Sequence, residues 1–335
     1  MRFTPGHYAG RSAVPQPLIG RRKVAVLAKG VVGRARRGFR LPRLGFPYAA
    51  PPIPTSVEMP EDTSNIGANY DTEWARRPSA RLARTALVET VIRPSISMIA
   101  KPHRQGYDRL RALPRDQSAL FVANHHSHLD TSLLLTSIPL PWRHKLVVAA
   151  ASDYFFDKRM KATMSALTIG AFPINRHSMG RASADQAAEI INAGNSILIY
   201  PEGGRSPDGW GQPFKGGAAY LALRCGVPIV PIYLAGTGRI WRKGQRWPKP
   251  STTSVIFGDP IWPTETDNTR RLNARIESAV ATLGDELATD WWQARKRFHQ
   301  HGAPSMSGPE VSSWQRAWAL GDRTRRSRKK PVWPR

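Results

Sequence analysis

The string Asn124-His125-His126-Ser127-His128-Leu129-Asp130 brings imidazoles, a hydroxyl and a carboxylate together within two helical turns' worth of chain. A histidine followed five residues later by an aspartate suits general-base chemistry. The carboxylate holds one ring nitrogen and leaves the other free to take a proton, an arrangement worth roughly 10²–10⁴-fold in rate. Two other chemistries fit the same residues. Ser127 and, three residues on, Asp130 have the spacing of a helix capping box, in which Asp130 is only a cap. His126, His128 and Asp130 have the H-x-H-x-D spacing of a metal site, with His144 and His177 as later ligand candidates.

Other segments weigh between these readings. In metallo-hydrolases similar to the metallo-β-lactamases a further His follows the Asp, whereas Thr131 stands here, and neither His144 nor His177 sits in a ligand motif. Gly170 to Arg176 reads as a strand ending in a cation that can fork onto phosphate. Tyr200-Pro201-Glu202-Gly203-Gly204-Arg205-Ser206 repeats the design, its Pro and Gly residues making a turn whose N–H groups can approach an anion. Lys215-Gly216-Gly217-Ala218 then opens a helix. Three strand ends each deliver a His, Arg or Lys, and in open α/β sheets ligands bind at such ends.

The elements that must place these groups alternate. Strands are expected at Ala119–Ala123, Lys145–Ala150, Thr168–Ile174, Ser196–Tyr200, Val227–Leu234 and Thr253–Phe257, several of them continuous apolar runs of the kind covered on both faces. Helices are expected at Ser127–Thr136, Arg159–Leu167, Met179–Ala193 and Lys215–Cys225, and one long helix from Asp267 to Gln300 that packs across the sheet. The fold class is therefore α/β, a mostly parallel central sheet flanked by helices. An N-terminal helical segment precedes it, with the folded domain at 81–300 between a basic, then Pro-rich region at 1–80 and a basic tail at 301–335, both expected to be disordered.

Charge follows the same division. The formal charge is +26, and eleven Lys or Arg residues precede Glu58, before which no acidic residue occurs, while seven more follow Asp322. Such arms suit an anionic surface, either nucleic acid or anionic lipid. No zinc-finger, RRM or helix-turn-helix signature accompanies them. Cys225 is the only cysteine, which excludes an internal disulfide and suits a reducing compartment. No signal peptide is read at the N-terminus. The most apolar helical stretch, Thr85–Ala100, holds Glu89, Arg93 and Pro94 and falls short of the roughly 20 residues a bilayer core requires. It is expected either to pack on the core or to lie on a membrane, with Arg81, Arg84 and Arg93 facing lipid.

At this point the chain resembles the glycerolipid acyltransferases typified by 1-acylglycerol-3-phosphate acyltransferase. Their first block, Asn-His-x-Ser-x-x-Asp, is complete as Asn124, His125, Ser127 and Asp130; Ile174-Asn175-Arg176 is similar to the second, Tyr200 to Ser206 to the third, and Val227 to Pro231 to the fourth. Asn175 replaces an Asp and Gly204 a Thr. The resemblance implies a glycerol-3-phosphate acyltransferase-like fold, with His125 as base and Asp130 as its orienter. It implies substrate binding by Asn124, Ser127, Arg176, Glu202, Gly203, Gly204, Arg205 and Lys215. No metal and no cofactor are implied, only acyl-CoA or acyl carrier protein as co-substrate and a lysophospholipid acceptor. The basic arms and the region near Leu87 to Ile99, apart from the resemblance, suggest peripheral binding to an anionic membrane surface at its cytoplasmic face. No G-x-S-x-G elbow occurs and Cys225 lies outside the blocks, so no acyl-enzyme is implied. A different lipid or glycolipid acceptor, or a nucleic-acid-binding protein acting through basic arms, are the alternative readings.

Overall fold

In a computed structural model of the chain, the described residues are 67–174, 181–241, 245–308, 310–312 and 314–316. The chain divides into two units, Met1–Pro60 and Glu61–Arg335. The first, with its basic arm, lies outside the described residues, and all that follows concerns the second.

Strands β1 (Pro102–Gln105), β2 (Leu120–Ala123), β3 (Leu146–Ala151), β4 (Ala171–Ile174), β5 (Ser196–Ile199), β6 (Ile229–Ala235) and β7 (Thr253–Phe257) form one sheet in the order β1-β7-β6-β2-β5-β3-β4. From β6 through β2, β5 and β3 to β4 every pairing is parallel, whereas β7 is antiparallel to β6 and β1 follows β7. The carboxyl ends of five strands therefore share one edge. β2 explains why its sequence is continuously apolar: Leu120 and Val122 pack with Ile190, Leu272 and Ile276 on one face, and Phe121 and Ala123 with Leu133, Leu134 and Ile138 on the other. Each large side chain withdrawn from water in this way contributes about 1.5–3 kcal/mol.

The helices are α1 (Pro78–Leu87), α2 (Arg93–Ala100), α3 (Asp130–Ser137), α4 (Ser152–Phe155), α5 (Arg159–Ile169), α6 (Arg181–Asn192), α7 (Gly217–Cys225), α8 (Thr237–Ile240), α9 (Thr269–Ala288) and α10 (Trp291–His301). Several sequence-based boundaries shift. Thr168 and Ile169 finish α5 rather than starting β4, because Gly170 closes the helix in the left-handed region at φ +65°. The expected helix from Asp267 to Gln300 is two helices, broken at Asp290, whose side chain caps α10 by accepting the N–H of Gln293 at 2.8 Å. α9 does pack across the sheet, against β6.

The N-terminal region is ordered before residue 80. Tyr70 is buried against Phe156 and its hydroxyl lies 2.8 Å from Thr163 Oγ1. Arg84 does not face lipid. It is buried, donates to Ala75 O at 3.0 Å, and burial followed by the nearby charges of Arg81 and Arg76 brings its pKa down to about 10. Arg93 is exposed and paired with Glu89 at 2.8 Å. α1 and α2 are joined by a π-turn at Val88–Ile92, the wider turn preceding Pro94 in the first turn of α2. Ile96 is buried on the core, while Leu82, Val91 and Met98 are exposed. At the other end, residues beyond 301 expected as tail are seated on the molecule: Gly211 N donates to Met306 O at 2.9 Å, and Arg316 Nε to Asp208 Oδ2 at 2.8 Å.

Candidate active site

The loop from Asn124 to Asp130 leaves β2 at the carboxyl edge and enters α3. Most of its polar atoms are used to fix the loop itself. Asn124 is buried and spans the backbone of Leu234 on β6, donating to its O at 2.9 Å and accepting from its N at 2.7 Å. Ser127 Oγ, fully buried, donates to Trp241 O at 2.7 Å and accepts from Leu129 N at 3.1 Å. Both were expected among the substrate-binding groups. Their side chains instead tie the loop to β6 and to the turn after α8, because a buried amide or hydroxyl must find partners and the adjacent backbone supplies them.

Asp130 is fully buried, and its Oδ2 accepts three N–H groups: His125 Nδ1 at 2.9 Å, His126 N at 2.7 Å and Ser127 N at 2.8 Å. Burial alone raises its pKa, but the hydrogen bond and charge of His125, then the Ser127 N–H and the Thr237 hydroxyl, outweigh it and hold the carboxyl below its usual range. Asp130 is thus ionised, and a carboxylate at 2.9 Å calls for a proton on the facing Nδ1 of His125. The capping-box reading is not realised as expected: the helix starts at Asp130 with Leu129 as its N-cap and no side-chain cap, and Asp130 Oδ2 accepts the Ser127 N–H within the preceding loop together with the imidazole N–H. The metal reading does not fit: His128 Nε2 meets Arg205 Nη1, His144 Nε2 lies 3.2 Å from Glu89, and His177 is outside the described residues. Among the described residues no cluster of three or more His, Cys, Asp or Glu is placed to hold a metal ion.

The turn after β5 completes the edge. Glu202 is buried, accepting His125 N at 2.8 Å on Oε1 and Gln212 N at 3.1 Å on Oε2. Burial pushes its pKa up to about 7 against the pull of those N–H groups, with Asp130 and Glu277 adding to the rise. A carboxyl group so engaged braces the loop, tying the backbone of His125 to that of Gln212. Gly203 takes φ +71°, and a Cβ there would stand 2.8 Å from Lys215 Nζ; the missing side chain gives Lys215 its passage. Gly204 has open space beside it. Arg205 contacts His128, whose pKa is lowered by burial and then by Arg205 and His125, and its guanidinium lies 5.7 Å from the Tyr154 ring. Arg176 falls outside the described residues.

These groups border a cavity of about 1040 Å³. Its lining combines the charged side chains of Lys161, Arg205, Lys215 and Glu202 with the apolar Val148, Ala149, Ala150, Ile174 and Ile199, and includes His125. Sequence reading missed Lys161, whose Nζ sits 4.0 Å over Tyr154, and Tyr200, stacked on His125. Lys161 left no signal, being one cation on a helix. The sequence places Tyr200 as the first residue of the third block, the one signal that bears on it.

An oriented His beside cations at the carboxyl edge of a parallel sheet is an arrangement that can carry acyl transfer. Residues 106–235, which hold β2 to β6 and all four blocks, match the family model described as Acyltransferase. The chain is 33% identical over 177 residues to the chloroplastic 1-acyl-sn-glycerol-3-phosphate acyltransferase BAT2 of Brassica napus, covering 52% of this chain and 48% of that one. It is 28% identical over 201 residues to the human 1-acyl-sn-glycerol-3-phosphate acyltransferase beta, covering 59% and 68%. The chain spans about half the length of several curated relatives it matches. The crystal structure of the 1-acyl-sn-glycerophosphate acyltransferase PlsC from Thermotoga maritima has the same fold, with a TM-score of 0.50 and 22% identity over 66% of this chain and 84% of that chain.

Proposed function

We propose that the protein is an O-acyltransferase that moves a fatty acyl group from a thioester, acyl-CoA or acyl carrier protein, to the hydroxyl of a lysophospholipid such as 1-acylglycerol-3-phosphate. One observation carries this reading: His125, oriented by Asp130 at 2.9 Å, borders a cavity whose lining combines cations with apolar side chains. The apolar side chains suit an acyl chain, and Arg205 and Lys215, with Lys161 nearby, suit the acceptor phosphate. His125 Nε2 takes the proton of the acceptor hydroxyl as its oxygen attacks the thioester carbonyl. The tetrahedral intermediate then expels the thiolate, which recovers that proton from the imidazolium as the C–S bond breaks. The Nδ1–H stays on the ring, held by Asp130 throughout.

Peripheral membrane association at a cytoplasmic face belongs to the same proposal. No helix among the described residues is long and apolar enough to cross a membrane. Exposed Leu82 on α1 and Met160 and Met164 on α5, two helices that pack together, supply an apolar face flanked by Lys158 and Arg159. Flotation of the full chain with anionic liposomes at physiological salt is the expected result, and failure to float removes this part of the proposal.

The activity test offers acyl-CoA and acyl carrier protein in turn, with 1-acylglycerol-3-phosphate, glycerol 3-phosphate and phosphate-free monoacylglycerol as acceptors. Transfer to a phosphorylated acceptor well above monoacylglycerol is expected. Equal use of monoacylglycerol would show that the cations do not select phosphate, and no transfer to any acceptor would overturn the function.

A further inference from the structure

We infer that Tyr200 is a positioning residue for His125, fixing the plane of the imidazole that the hydrogen bond to Asp130 leaves free; the inference rests on the proposed acyl transfer. The phenol ring lies nearly parallel to the imidazole, with centroids 4.1 Å apart and planes 18° from parallel. The contact with Asp130 acts at Nδ1 in the plane of the ring. A single hydrogen bond holds that nitrogen in place but resists rotation about its own axis only weakly, and it is this rotation that swings Nε2 away from a bound hydroxyl. A ring stacked on the imidazole face opposes it directly.

Tyr200 is itself anchored at both ends. Its backbone follows β5 and accepts the Gly203 N–H at 3.1 Å. Its hydroxyl lies 3.2 Å from Thr131 Oγ1, in the first turn of α3, the helix that Asp130 begins. The imidazole is thereby referenced to α3 twice, through Nδ1 by way of Asp130 and through its face by way of Tyr200 and Thr131. The stack also meets the charge that catalysis creates. When Nε2 takes the acceptor proton, the imidazolium forms over the electron-rich face of the phenol, an attraction absent from the neutral ring. Its benefit falls on the transition state and not on substrate binding.

The test compares Tyr200→Phe, which keeps the face, with Tyr200→Leu, which keeps apolar bulk and loses it; Tyr200→Met serves if the Leu variant does not fold. Leu or Met is expected to lower kcat about 10-fold, with KM for donor and acceptor within about 2-fold of wild type. Phe restores most of kcat. Independently of turnover, the His125 ring protons, assigned with a His125→Ala control, resonate upfield under the ring current in wild type and the Phe variant, and move downfield in the Leu or Met variant. Wild-type kcat in the Leu or Met variant overturns the inference, as does a raised KM with kcat unchanged, which would make Tyr200 a substrate contact. A lowered kcat with unmoved His125 resonances also overturns it. If no variant and not even the wild type transfers acyl groups, the failure lies with the proposed function, and the resonance shift still decides whether Tyr200 fixes the ring.

Discussion

The loop around His125 and the cationic rim facing it are built in opposite ways. In the loop, Asn124, Ser127 and Asp130 are buried and aimed at backbone or at the imidazole, so Asn124 Oδ1 and Nδ2, Ser127 Oγ and Asp130 Oδ2 are each fixed by a partner within the fold. On the rim, Arg205, Lys161 and Lys215 are long side chains lining an open cavity, held by rings and by one another's surroundings. Precision at the base comes from buried hydrogen bonds, whose loss is costly. Capture at the rim comes from charge that can follow its ligand. Substitutions in the loop are therefore expected to act on kcat or on stability, and substitutions on the rim on KM.

The largest separation of the two regions is expected from Asp130→Asn. The amide presents a donor to His125 Nδ1, favours the tautomer protonated at Nε2, and removes the base with little change in shape, lowering kcat by about 10²–10⁴-fold. Steady-state kinetics with both substrates checks it, and a variant with normal kcat would detach Asp130 from the chemistry. Next comes Asn124→Ala, which leaves the buried N–H and C=O of Leu234 without their partner and is expected to cost about 2–4 kcal/mol by denaturant unfolding.

Glu202 lies between the regions and sharpens the contrast through pH. Its pKa in the folded protein is about 7, above the value of 4.5 for a free Glu. Between those values the folded state binds the extra proton, so stability from this group falls as pH rises from about 4.5 to about 7 and stays flat beyond, a change on the order of 3 kcal/mol. Glu202→Gln removes that dependence. Unfolding of wild type and variant across the window is expected to diverge steadily in the variant's favour, and parallel curves would contradict the placement of Glu202. The smallest effect is expected for Arg205→Ala: about a 10-fold rise in KM for the phosphorylated acceptor, with kcat within a few-fold and a weaker dependence on salt.

The contrast also explains what the sequence disclosed. β7 was legible to the residue, and the alternation of strands and helices placed the first and third blocks at one edge, because continuous apolar runs and Gly-rich turns are local signals. β1 was not: Pro102–Gln105 is polar and becomes a strand only by pairing with β7. The break at Asp290 was written in the chain as a cap residue but overridden by the helical period around it. The contacts of Asn124 and Ser127 with β6 and with Trp241 were not legible, since residue type does not reveal whether a side chain turns toward the cavity or the adjacent backbone. The stack of Tyr200 on His125 joins two strand ends whose adjacency only the sheet order establishes.

The central claim is that His125 Nε2 is the base for acyl transfer. Its most direct test is single-turnover transfer of a labelled acyl group from acyl-CoA to 1-acylglycerol-3-phosphate by wild type and His125→Ala, with both proteins shown to be folded by their melting transitions. The account expects transfer by wild type and a loss of at least about 10²-fold in the variant; a folded His125→Ala protein that transfers the acyl group at the wild-type rate would contradict it.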